Sequence, residues 1–145
     1  MVLNDSGEQY LTIPVHIQKQ MMAWCLSALP EEGCGLLLGP ADRHTVTDAY
    51  LAKNAAKSAK LYSIEGRDYL RADRQAEESG CEIIGVFHSH THTDPYPSST
   101  DVELAPDPGW HYVLVSLCHE VPVMRSYRII DFQITEEPIL SEEST

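Results

Sequence analysis

The stretch GVFHSHTHTDPYPSSTDVELA, residues 85–105, sets three histidines at alternate positions before a proline-rich turn and a group of hydroxyls with one aspartate. Along a strand, side chains two apart face the same way, about 6.5–7 Å apart at Cα. His88 and His90 therefore aim two imidazoles at one point where the apolar run CEIIGVF ends. Neutral imidazole is a common zinc ligand, and a catalytic zinc takes three protein ligands and leaves one position for water. His92 would be the third ligand if the strand continued, but Pro95 and Pro97 turn the backbone there, which sends His92 to the rim or to solvent.

Asp101 is the better third ligand, because a carboxylate at the start of the next helix can fold back onto a histidine pair. Ser98-x-x-Asp101 also reads as an ordinary helix cap. Thr100-x-x-Glu103 is the stricter capping box, T-x-x-E, and if Thr100 caps the helix, Ser98 and Asp101 are left for chemistry. Metal-assisted hydrolysis further needs a carboxylate to take a proton from water and pass it to the leaving group. PEEGCGLLLG, residues 30–39, offers Glu31 and Glu32 at the mouth of an apolar strand. Taken alone, both read more readily as surface charges following a helix.

Together, Glu32, His88-Ser89-His90, seven residues, Ser98, two residues and Asp101 meet the spacing H-x-H-x7-S-x2-D. The chain thereby resembles the JAMM (MPN-type) metalloproteases. The resemblance extends over roughly residues 10–137, through CGLLLG, YPSSTDVELA, HYVLVSL and RSYRIIDFQITEEP, and is strongest to the small bacterial branch of the family. It implies one zinc per chain held by His88, His90 and Asp101, with Glu32 as proton acceptor and donor and Ser98 as hydrogen-bond donor to the oxyanion. It also implies a substrate. This is a small ubiquitin-like sulfur-carrier protein cut after its C-terminal Gly-Gly, most simply to release cysteine from a carrier–cysteine adduct in cysteine biosynthesis. A general isopeptidase that frees ubiquitin-like proteins from lysines shares this site chemistry, and a carrier-binding module without activity is the third reading. A zinc base deaminase is excluded, since its P-C-x-x-C half is missing.

The elements that must position these residues follow from the surrounding pattern. At 145 residues the chain is expected to be a single domain, residues 1–145, burying roughly two thirds of its unfolded surface. A formal net charge of −12 opposes nucleic-acid partners, and no apolar run is long enough to span a membrane. MVLNDSGEQY is acidic and lacks the basic start and apolar core of a secretion leader. The four cysteines are widely spaced, so reduced thiols in a cytoplasmic protein are expected.

Strands are expected at 10–13, 34–38, 44–52, 61–64, 81–90, 111–117, 123–130 and 132–135, with a turn near Asp131. Pro14 suits the first turn of a helix over 15–29, whose apolar face reads Ile17, Met21, Trp24 and Ala28. A charged helix fits 66–79, ended by Gly80, and a short one fits 100–105, stopped by Pro106. The acidic tail 138–145 is expected to fray. The fold class is therefore α/β: a mixed β-sheet flanked by helices, as the JAMM (MPN-type) resemblance also implies.

Overall fold

The computed structural model describes residues 9–141, so the N-terminal stretch read against a leader lies largely outside them, as do residues 142–145 of the tail. The elements run β1 (Leu11–Thr12), α1 (Val15–Ala28), β2 (Cys34–Gly39), β3 (Asp48–Ala52), α2 (Gly66–Glu78), β4 (Glu82–His90), α3 (Ser99–Glu103), β5 (His111–Ser116), β6 (Val123–Ile130), β7 (Gln133–Glu137) and β8 (Ile139–Leu140). Six strands form one sheet in the order β3-β2-β4-β5-β6-β7. It is mixed: β4 and β5 run parallel and every other neighbour is antiparallel.

Both faces of this sheet are covered, which is why β2 and β5 read as unbroken buried runs and not as alternation. Helix α1 lies on one face, where Ile17, Met21 and Cys25 meet Leu37, Phe87 and Val113. The buried stripe is thus the spacing-of-four row through Cys25. Trp24 lies at its flank, where its indole N–H reaches the carbonyls of Cys34 and Ala52 at 3.1 and 2.9 Å. Ala28 is not among the buried residues of the helix. On the opposite face α2 presents Ala72 and Ala76 to Leu36, Val86 and Leu114. Two alanines let a helix that is otherwise charged lie close to the sheet.

Three expected elements differ. Strand β3 begins at Asp48, not 44, because residues 44–46 pair instead with the segment around Thr12. Residues 61–64 form no strand. Their backbone is taken up by Asn54, whose amide donates to Leu61 O at 2.9 Å and whose carbonyl accepts from Ser63 N at 3.0 Å. The first residues of the tail are ordered where fraying is expected, since Ile139 and Leu140 pair in parallel with Leu11 and Thr12. The turn near Asp131 is present, with φ of 49° at Asp131 and 64° at Phe132, the two left-handed residues of a tight hairpin. All four cysteines are free thiols, and among the described residues no helix is long and apolar enough to cross a membrane.

Candidate active site

The face on which the histidines emerge is set by one extra residue. Leu37 pairs with Gly85 but Leu38 pairs with Ile83, so Ile84 is a bulge in β4. Strict alternation from Ile84, which packs on the α1 side, would carry His88 and His90 to that side as well. The bulge reverses the phase, so both histidines continue the row of Val86 on the α2 side. There Tyr62 stacks on the His88 ring, centroids 4.3 Å apart. Ser89 points the other way and ties the end of β4 to the start of β2: its hydroxyl accepts from Gly33 N at 2.8 Å, and its own N–H donates to Gly33 O at 2.9 Å.

Asp101 reaches this pair from α3. Its Oδ1 lies 3.2 Å from His88 Nε2 and its Oδ2 3.0 Å from His90 Nε2, and one donor atom from each of the three residues lies within 4.8 Å of the others. His90 Nδ1 is 2.9 Å from the carbonyl of Asp94. A carbonyl only accepts, so Nδ1 carries the proton and Nε2 is the nitrogen turned to the cluster. Burial lowers the pKa of His88, keeping it neutral. For His90 burial acts in the same direction, but its hydrogen bonds to Asp101 and Asp94 outweigh it and the pKa rises. Burial would raise Asp101, yet the two histidines hold its carboxyl well below the usual range.

Ser98 and Asp101 themselves form the capping box of α3. Asp101 N donates to Ser98 Oγ at 3.1 Å and Ser98 N donates to Asp101 Oδ2 at 2.9 Å. The expectation that Thr100 and Glu103 form the cap is therefore wrong, because the helix begins a residue earlier, at Ser99, and Thr100 already lies inside it. The two roles coexist nonetheless. Ser98 Oγ accepts the capping bond and still has its own hydrogen to donate.

Glu32 is buried, 3% exposed, and its Oε1 has no hydrogen-bond partner. Its backbone is pinned on both sides, with Glu32 N donating to Ser58 O at 2.7 Å and Asn54 Nδ2 donating to Glu32 O at 3.1 Å. Burial lifts the carboxyl pKa to about 8, with His90 pulling it down and Asp101 pushing it up. Glu32, His90 and Ser98 line one cleft, which His92 borders from its exposed rim, its Nδ1 2.8 Å from Thr91 Oγ1. Glu31 lies outside that cleft.

The donor set suits a divalent cation such as zinc: two imidazoles, one carboxylate, and a buried His88 Nε2 that no hydrogen bond satisfies. Three positioning residues escaped sequence reasoning. These are Tyr62, Asn54 and the carbonyl of Asp94. Only Asn54 left a trace, as an asparagine within a loop, where its side chain commonly bonds nearby backbone.

With this geometry the family described as prokaryotic homologs of the JAB domain matches residues 14–130. The CysO-cysteine peptidase of Mycobacterium tuberculosis is 36% identical over 143 residues, 96% of each chain. A desampylase of Haloferax volcanii is 36% identical over 88 residues, 60% of this chain and 63% of that one. A Desulfitobacterium hafniense protein solved in solution superposes with a TM-score of 0.84 at 34% identity, covering 92% of this chain and 94% of that one.

Proposed function

The chain belongs to the family of prokaryotic homologs of the JAB domain, and from that premise we propose a zinc-dependent hydrolase of a ubiquitin-like sulfur carrier. It cuts the amide after the carrier's C-terminal Gly-Gly and releases cysteine. The observation that carries the chemistry is the buried cluster of His88, His90 and Asp101, with Glu32 and Ser98 sharing the cleft beside it. The similarity to a CysO-cysteine peptidase across 96% of the chain supports the substrate.

His88, His90 and Asp101 would hold the zinc, which when bound supplies a Lewis acid that makes water acidic near neutral pH. Glu32 takes up the water's proton and returns it to the leaving amine. With a carboxyl pKa near 8 it is mostly protonated at neutral pH, and a neighbouring cation favours the carboxylate it needs to be. Ser98 donates its free hydroxyl hydrogen to the oxyanion, a contact worth roughly 3–4 kcal/mol in other hydrolases. Tyr62 and the Asp94 carbonyl fix the planes of the two imidazoles.

The similarity to a desampylase favours a second reading, in which the leaving group is a lysine side chain. One assay separates them. Zinc-loaded protein is given a ubiquitin-like carrier ending in Gly-Gly-Cys and, in parallel, the same carrier joined to lysine. Intact mass should show loss of one cysteine residue, abolished by chelation and restored by zinc. A tenfold preference for the lysine conjugate in kcat/KM, about 1.4 kcal/mol, would move the reading to a general isopeptidase. No cleavage of either would leave a binding module. Elemental analysis tests the metal: His88→Ala, His90→Ala and Asp101→Ala should each lose zinc while His92→Ala keeps it.

A further inference from the structure

Two clefts meet at the histidine–aspartate cluster. One reaches Asp101 and is lined by Leu61, Tyr62, Ile64, Tyr69 and Trp110. The other, about 470 Å³, holds Glu32, Lys60, His90, Thr91, His92 and Ser98. Since Glu32 returns the proton to the leaving amine, the leaving group stands on Glu32's side, in the second cleft, and the carrier's extended tail takes the first. This step rests on the proposed function.

A leaving cysteine carries an α-carboxylate on the carbon bonded to its amine. A lysine side chain carries no carboxylate near its own. The new carboxylate must enter a cleft that already contains Glu32, on a chain whose net charge is −12. A further cation on the wall of that cleft would favour it there, beside the zinc that the proposed function places at the cluster. Lys60 supplies the only ammonium among the residues lining that cleft.

Its placement is built into the fold. Lys60 N donates to Ser58 Oγ at 3.0 Å, the carbonyl of Ala59 before it accepts from Thr91 Oγ1 at 3.2 Å, and the carbonyl of Leu61 after it accepts from Asn54 Nδ2 at 2.9 Å. The side chain is exposed, but it springs from a backbone fastened to the end of β4 and, through Ser58 and Asn54, to Glu32. Three of the chain's four lysines, Lys53, Lys57 and Lys60, fall in this one loop. Lys53 and Lys57 line a neighbouring cleft that Glu32 also borders.

The geometry points to Lys60 as the residue that receives the α-carboxylate of the leaving amino acid and so selects a free amino acid over a lysine side chain. An ammonium is a point charge that can meet a carboxylate from several directions, which suits a flexible side chain at a cleft mouth.

The test uses two substrates, a ubiquitin-like carrier ending in Gly-Gly-Cys as the free acid and as the C-terminal amide. The zinc-loaded parent should prefer the acid by tenfold or more in kcat/KM, mostly through KM. Lys60→Ala should collapse the ratio toward one, and Lys60→Arg should keep most of it. A binding arm titrates the peptides acetyl-Gly-Gly-Cys and its amide into zinc-loaded Glu32→Gln protein, with and without Lys60→Ala. The acid should bind more tightly, and only while Lys60 is present. Cleavage of both substrates at equal rates would overturn the role of Lys60 and leave the proposed function intact. If neither is cleaved the proposed function fails, and the binding arm still decides on Lys60: equal affinities for acid and amide would overturn it.

Discussion

Among single residues, Glu32 shows how much of a role comes from surroundings that spacing does not reveal. Burial holds its proton on the folded, metal-free protein up to about pH 8, against 4.5 for an ordinary glutamate. Below 4.5 folded and unfolded states both bind that proton, and between 4.5 and about 8 only the folded state does. This stabilisation is therefore full at low pH and is lost as pH rises through that window. Glu32→Gln has no proton to lose. Thermal melts of metal-free parent and variant from about pH 5 to about pH 9 should show the parent's Tm falling more steeply, and identical slopes would mean that the carboxyl is not held protonated by the fold. The histidines, Ser98, Asp101 and Glu32 were all visible as a spaced pattern, because each must present one particular atom. Tyr62 and the Asp94 carbonyl were not, since stacking accepts many rings and any residue brings a carbonyl. The capping role of Ser98 and Asp101 was weighed and set aside wrongly, because a hydroxyl and a carboxylate can each serve two partners at once.

At the scale of elements, β2 carries Glu32 into place and depends on a close approach at Gly35. A Cβ there would meet the Tyr50 carbonyl at 2.3 Å and the Phe87 ring at 2.4 Å, and the backbone atom cannot yield as a side-chain end could. Gly35→Ala should therefore cost about 1–3 kcal/mol or more. Gly66, the first residue of α2, meets nothing within 4 Å, so Gly66→Ala should be neutral or stabilising by about 0.5–1 kcal/mol. Urea denaturation of both variants checks the contrast, and a Gly35→Ala protein as stable as the parent would show that β2 and β3 can part locally. Most elements were legible because both faces of the sheet are buried, which concentrates apolar residues into runs. What escaped was pairing. The segment 61–64 has strand-forming residues but its backbone bonds to the Asn54 side chain, and the bulge at Ile84 follows from how β2 and β4 register, which neither strand encodes alone.

At the scale of the whole molecule, the first and last strands of the described residues are closed on each other, with β8 beside β1, and near that join lies a buried pair that serves no proposed catalytic step. His111 Nδ1 lies 2.5 Å from Glu137 Oε2, and Ser126 Oγ donates to the same oxygen at 2.8 Å. His111 Nε2 meets the carbonyl of Arg43 at 2.7 Å. Both residues are 2% exposed or less, and the pair links β5 at the centre of the sheet to the last residue of β7, one proline before the β8 pairing. Removing either partner strands the other in a low-dielectric interior, so Glu137→Ala and His111→Ala should each cost about 3–5 kcal/mol. That is a large share of the roughly 5–15 kcal/mol by which a domain is stable. The double variant should cost less than the sum of the two, with a coupling of about 0.5–3 kcal/mol. Glu137→Gln should fall between parent and Glu137→Ala, because an amide oxygen still accepts from His111 and from Ser126 while the charge is gone. Urea unfolding of the four proteins completes the cycle. If the two single losses simply add, His111 and Glu137 are independent core residues, and closure of the first strand on the last rests on the β1–β8 pairing alone.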